Sequence, residues 1–143
     1  MKSITDWALI LASVVIFTVV ISIFFRYYLE VEENIRINKG VESFYILYNT
    51  LNKVCDSSIN EKRIIHLYYP KEMIYIYGKN KNLCYKTIKI ENCEKIFCEI
   101  NFFNITIYNN PYIESLEQGF TKFEIVIEKI GPNLINVDYK LKI

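Results

Sequence analysis

The sequence predicts an α+β fold: a long N-terminal helix, half transmembrane and half amphipathic, packed on a small antiparallel β-sheet domain. Three observations predict it. The stretch from Trp7 to Phe25, WALILASVVIFTVVISIFF, carries no charge over nineteen residues. Beyond it, apolar residues recur at helical steps of three and four as far as Cys55. From about residue 61 the period changes to two, in short runs bounded by Gly, Pro and Asn. The expected organisation is therefore a leader and transmembrane helix over 1–25, an amphipathic continuation over 26–56, and an extracellular β domain over 61–143.

The apolar stretch is long enough to span a bilayer. At about 1.5 Å per residue it reaches ~28 Å as a helix, close to the ~30 Å hydrocarbon core. Thirteen of its residues are Leu, Ile, Val or Phe, and on the insertion scale they favour the membrane by about 4 to 8 kcal/mol together. Ser13, Thr18 and Ser22 can bond back to helix carbonyls and subtract little. Trp7 stands at one end, and Arg26, Tyr27 and Tyr28 at the other, where amphipathic rings mark membrane interfaces. A cleaved signal peptide has a shorter apolar run and a small-x-small site, whereas this run leads into Phe24-Phe25-Arg26-Tyr27-Tyr28. The expected membrane-embedded residues include Trp7, Val14, Phe17, Ile21 and Phe25.

The helical signal then changes form. Tyr28, Val31 and Ile35 make a first stripe, and Ile37, Val41, Phe44, Tyr48, Leu51 and Cys55 a second. The opposite face carries Glu32, Arg36, Lys39, Glu42, Asn49 and Lys53, so this is an amphipathic helix. Val41, Phe44, Tyr48 and Leu51 are its expected contacts with the sheet. Gly40 costs about 1 kcal/mol inside a helix, and Asn38-Lys39-Gly40 reads as a kink or break.

Asp56 to Asn60 is a loop. Arg63 to Tyr69 and Glu72 to Tyr77 read as strands on either side of Pro70, with Gly78-Lys79-Asn80-Lys81-Asn82 as a turn. Leu83 to Glu91 and Ile96 to Tyr108 are further strands separated by Asn92 to Lys95. Asn109-Asn110-Pro111 then breaks the run, and Tyr112 to Gly119 is irregular or a short helix. The clearest strands are the last two. Phe123, Ile125 and Ile127 alternate with Lys122, Glu124 and Glu128, and after Gly131-Pro132-Asn133-Leu134 the row Ile135, Val137, Tyr139, Leu141 and Ile143 alternates with Asn136, Asp138, Lys140 and Lys142. Strict alternation means one wet face and one buried face, and the helix stripe is the natural cover.

The chain has 143 residues and a net charge of +1, which leaves one modest domain beyond the anchor and no charge excess pointing to nucleic acid. Lys2 precedes the helix, and Arg26 after it is outnumbered by Glu30, Glu32 and Glu33. This leans towards a single-pass protein of the cell membrane with a cytoplasmic N-terminus and an outside C-terminal domain. Cys55, Cys84, Cys93 and Cys98 lean the same way, an even set in a small domain. Zinc is the competing reading, but no C-x-x-C pair occurs and His66, the sole histidine, is remote. Four cysteines allow three pairings; the strand reading favours Cys93 with Cys98 across a turn and Cys55 with Cys84. Asn104-Ile105-Thr106 is a glycosylation sequon.

Catalytic chemistry has no carrier here. His66 alternates with Ile65 and Leu67 in a strand, and Glu30, Glu32 and Glu33 read as a solvated charge pattern. No phosphate loop, nucleophile elbow or metal-ligand helix motif occurs. The tyrosines at 68, 69, 75, 77 and 85 fill a sheet and its core, or make a binding face. The expectation is a non-enzymatic protein without cofactor, metal or small-molecule substrate, with the membrane and either its own copies or an envelope protein as partners.

The anchor WALILASVVIFTVV, the helix end FYILYNTLNKVC, the segment RIIHLYYPKEMIYIYGKN and the short leader Lys2-Ser3-Ile4-Thr5-Asp6-Trp7 together resemble an archaeal type IV pilin-like protein. The resemblance covers the whole chain in organisation. It implies a structural role, as a pilin or minor pilin whose apolar helices leave the membrane and pack as a filament core while the β domains face outward. Val14, Phe17, Ile21 and Phe24 then become packing residues. One departure is that no Gly or Ala lies between Lys2 and the apolar run to serve as a prepilin peptidase site. This keeps a second expectation open: a permanently anchored single-pass protein whose outer domain binds an envelope or motor component.

Overall fold

A computed structural model describes residues 2–106 and 120–141. The chain forms two compact units, Met1–Ile35 and Arg36–Ile143. The elements in order are α1 (Lys2–Cys55), β1 (Lys62–Pro70), β2 (Met73–Thr87), β3 (Glu91–Thr106), β4 (Phe120–Gly131) and β5 (Leu134–Leu141). The fold is α+β.

In the first unit, every described large apolar side chain of α1 is exposed, from Ile4 through Ile35. The second unit is built around the rest of the helix. Phe44, Leu47, Leu51 and Val54 are fully buried, with Val41 and Tyr48 partly buried at their flanks. They meet Leu67 and Tyr69 of β1, Ile76, Leu83 and Tyr85 of β2, Ile96 to Ile105 of β3, and Phe123, Ile125 and Ile127 of β4 in one core. Phe44 lies 4.5 Å from Tyr85 between ring centroids. The stripe thus sits one residue to the side of its expected axis: Leu47 and Val54 are central, and Tyr48 and Cys55 lie beside them.

The sheet order is β1-β4-β5-β3-β2. β1 with β4, β4 with β5, and β2 with β3 are antiparallel, but β3 and β5 run parallel through Glu99↔Leu134 and Ile100↔Ile135. The expected antiparallel sheet is therefore mixed. β1 and β2 are the two outer strands, yet only Lys71 and Glu72 join them. So short a link between opposite edges is possible only because the sheet curls until those edges converge.

Two expected turns are absent. Gly78 to Asn82 lies inside β2, and Asn92 to Lys95 inside β3; the hairpin turns instead at Ile88-Lys89-Ile90. The Gly-Lys-Asn-Lys-Asn composition serves a bulge rather than a reversal: the β2–β3 register shifts between Gly78 and Asn82, and Asn80 has φ 57°. Phe103, opposite Gly78, lays its ring where a side chain at 78 would stand. Asn38-Lys39-Gly40 likewise lies within continuous helix. A Cβ at Gly40 would come within 2.7 Å of the Pro70 ring, so glycine here permits close approach of β1. The readings at Tyr108, Asn109 to Pro111, Tyr112 to Gly119 and Ile143 lie outside the described residues.

Candidate functional site

The apolar stretch is the largest exposed apolar feature among the described residues. Trp7, Val14, Phe17, Ile21 and Phe25 are all exposed, and α1 is the one described helix long and apolar enough to cross a membrane. Its polar groups are satisfied internally. Ser13 donates to the Ile10 carbonyl, Thr18 to Val15 and Ser22 to Thr18, each at 2.8 Å. With backbone and hydroxyls bonded within the helix, its surface presents no group that needs water, which suits hydrocarbon. Thr18, Ser22 and Arg26 recur at steps of four and line one shallow recess.

Both disulfides form, with pairings other than those favoured from the sequence: Cys55 with Cys98, and Cys84 with Cys93. The misplaced turn explains the difference. Cys93 and Cys98 share β3 at odd separation and face opposite sides, so they cannot meet. Cys84 and Cys93 stand directly opposite in the β2–β3 ladder, and Cys98 faces the core where α1 ends.

That end of α1 is closed by a residue the alternation had hidden. Lys129 follows Thr121, Phe123, Ile125 and Ile127 in the inward row of β4 and is buried. Its ammonium donates to the carbonyls of Cys55 at 2.5 Å and Ser57 at 2.6 Å. The Cys55 carbonyl is left over at the end of α1 and carries the negative end of its dipole, and the Ser57 carbonyl lies in the loop just beyond, so a cation on the core face is satisfied there. A lysine in phase with a buried row was the available signal.

At the other end of the second unit, Arg36 Nε donates to Glu72 Oε1 at 2.7 Å, with the Glu72 side chain only 5% exposed. Glu72 Oε2 has no hydrogen-bond partner among the described residues. The Glu72 carbonyl accepts from the Ile88 amide at 3.0 Å, so one residue ties α1, the β1–β2 link and the β2–β3 hairpin together.

Other polar residues among those described make structural bonds or are exposed. His66 faces solvent on β1, opposite Glu124. The Tyr69 hydroxyl donates to the Ile105 carbonyl at 3.2 Å, and burial pushes its pKa upward. Tyr85 is raised too, chiefly by burial. The Tyr75 hydroxyl donates to Glu91 Oε1 at 2.6 Å; this bond pushes Tyr75 up to about 12 and holds the Glu91 carboxyl below its ordinary value. Asn104 is exposed on β3 with its sequon intact, and its carbonyl accepts from the Tyr139 hydroxyl at 2.8 Å. Among the described residues, no group of three or more His, Cys, Asp or Glu is placed to hold a metal ion. Comparison with known families, curated proteins and solved structures finds no match to this chain.

Proposed function

We propose that this chain is a structural subunit of a cell-surface filament, of the archaeal type IV pilin-like kind. Its N-terminal helix is a membrane anchor before assembly and a packing element afterwards, with the disulfide-bonded unit outside the cell. One observation carries this reading: Trp7 to Phe25 is apolar on every side and wholly exposed, while the second unit closes its own core. Such a helix needs lipid or copies of itself around it. The Thr18, Ser22 and Arg26 row supports self-association, since hydroxyls in apolar bundles bond across helices. Two disulfides support an outside location.

The test is a photo-crosslinking amino acid at Phe17 in cells expressing the chain. A ladder of covalent multimers in the sheared surface fraction is the expected outcome. Crosslinks to lipid alone, in membranes that yield no filaments containing this polypeptide, count against it.

That no Gly or Ala lies between Lys2 and the apolar run favours a second reading, a permanent single-pass anchor whose outer domain binds an envelope or motor component. Intact mass of the membrane-extracted protein separates the two. Loss of residues ahead of Trp7 supports the filament, and retention of Met1 to Asp6 supports the anchor.

A further inference from the structure

We propose that the split between β3 and β5 is a strand-acceptor site, which takes an extended segment of a partner polypeptide, and that the Tyr139 phenol holds the place of that strand until it arrives.

The site lies wholly within the second unit and starts from an interruption in the ladder. β3 and β5 pair in parallel through Glu99↔Leu134 and Ile100↔Ile135, with the Glu99 amide donating to the Asn133 carbonyl at 2.8 Å. Among the described residues that pairing stops there, although both strands run on, over 101–106 and 136–141. Each continues to pair on its far side, Phe103 to Thr106 with β2 and Asn136 to Leu141 with β4. Two strand edges therefore face each other inside the sheet without joining.

Side chains bridge the gap in place of backbone. The Asn101 side-chain amide donates to the Asn136 side-chain oxygen at 3.1 Å, and the Tyr139 hydroxyl donates to the Asn104 carbonyl at 2.8 Å. Both bonds join residues 35 apart, which is also the spacing of Glu99 from Leu134 and of Ile100 from Ile135. The strands thus stay in register while they separate. The Asn104 carbonyl is turned into the gap, and in an extended strand the N–H of the same residue points the same way. The phenol donates where an inserted strand would donate an N–H.

The edges select the partner. Rows of strand N–H and C=O groups recognise one chemistry, the backbone of another extended chain. Between them opens a recess of about 330 Å³ lined by Phe102, Phe103, Asn104, Val137, Asp138 and Tyr139. Phe103 and Val137 are buried, whereas Phe102 is 68% exposed. The β2–β3 register shifts between Gly78 and Asn80, so Asn101 and Phe102 are exposed in succession and the Phe102 ring is left at the rim. An inserted strand would set alternate side chains against Phe103 and Val137 and the others beside Phe102 and Asp138, so the segment alternates apolar with polar residues. It comes from another protein, because every described strand of this chain is paired within its own sheet and α1 is helical.

This inference holds whether the chain assembles into a filament or stays anchored. The test uses the full chain in detergent micelles with a synthetic peptide of alternating valine and threonine, capped by a lysine at each end. A second peptide carries the same side chains with N-methyl groups on alternate residues, which removes the donors along one of its edges. At a peptide concentration about ten times its Kd, amide exchange within 101–106 and 136–141 should slow by about tenfold. The methylated peptide should lose at least about tenfold in affinity, and Tyr139→Phe should bind the unmodified peptide ~2- to 10-fold more tightly, since the competing bond is gone while the ring stays. A gain of binding cannot come from a damaged fold. Equal affinity of the two peptides, equal affinity of the native and Tyr139→Phe chains, no binding to either chain, or slowing confined to β1 and the outer edge of β2 each overturns the proposal. So does slow exchange at these edges without peptide: at every protein concentration it means that the chain covers its own gap, and growing with concentration it means that a second copy does.

Discussion

The two halves of α1 share a backbone conformation and differ in what their side chains require. Before Ile35 the apolar residues point in all directions and none is covered; after Arg36 most collect on one side, with Ile37, Phe44, Leu47, Leu51 and Val54 buried and only Tyr45 and Ile46 left exposed. A helix with apolar groups all round cannot close a core with one sheet, because a sheet covers only one side. A helix with a stripe can. The pattern around the axis, and not helix propensity, decides which half is finished within the chain and which awaits lipid or neighbours.

Side-chain truncation is the strongest way to test that contrast. Phe44→Ala should destabilise the second unit by about 3–5 kcal/mol, the usual cost of emptying a buried ring site. Phe17→Ala should leave that unit's unfolding midpoint in detergent unchanged, as followed by near-ultraviolet circular dichroism. A comparable loss from both would break the division between the halves.

The disulfides come next. Cys55 and Cys98 are 43 residues apart and Cys84 and Cys93 only 9. On the chain-entropy account, replacing the first pair by serine costs about 4 kcal/mol and the second about 2.5 kcal/mol. Denaturation of the paired variants ranks them, and non-reducing peptide mapping checks the connectivity directly. Arg36→Ala should cost about 3 kcal/mol, because it strands the buried Glu72 carboxylate, while Arg26→Ala in the first unit should not move the midpoint.

The smallest effect is one of pH. Glu91 has a lowered pKa in the fold, so its contribution is present above the ordinary value of 4.5 and fades as pH falls through the lowered one. Tyr75 is raised from 10.0 to about 12, so its contribution is present below 10 and fades as pH rises towards 12. Tyr75→Phe should flatten both limbs of a stability profile and remove one phenol transition near pH 12 in a spectrophotometric titration. A profile unchanged by that substitution shows that the bond adds nothing.

The features readable in the sequence were those written in a period. The uncharged stretch, the change from helical steps to alternation, and the last hairpin through Pro132-Asn133 all have local causes. The features missed depend on partners distant in the chain or on composition that serves two geometries. Gly78-Lys79-Asn80-Lys81-Asn82 has the composition of a turn because bulges and turns need the same left-handed tolerance, and only the ladder with β3 separates them. Misplacing that turn displaced the next one, and with it the pairing of Cys93. Lys129 was hidden because its partners are backbone carbonyls 72 and 74 residues away. The parallel contact of β3 with β5 depends on how far the sheet curls, which no local pattern encodes. Leu47 lay within the helical signal; taking Tyr48 in its place shifted the stripe by about 100°.

The Cys55–Cys98 bond also has a mechanical meaning. It joins the last residue of α1 to β3, a strand with a neighbour on either side. A load drawn along the helix therefore enters the sheet through a covalent bond at an interior strand, where shearing must break paired rows together instead of peeling an edge one bond at a time. With the bond reduced, the chain would yield by helix pull-out, and with it formed only when the sheet itself tears.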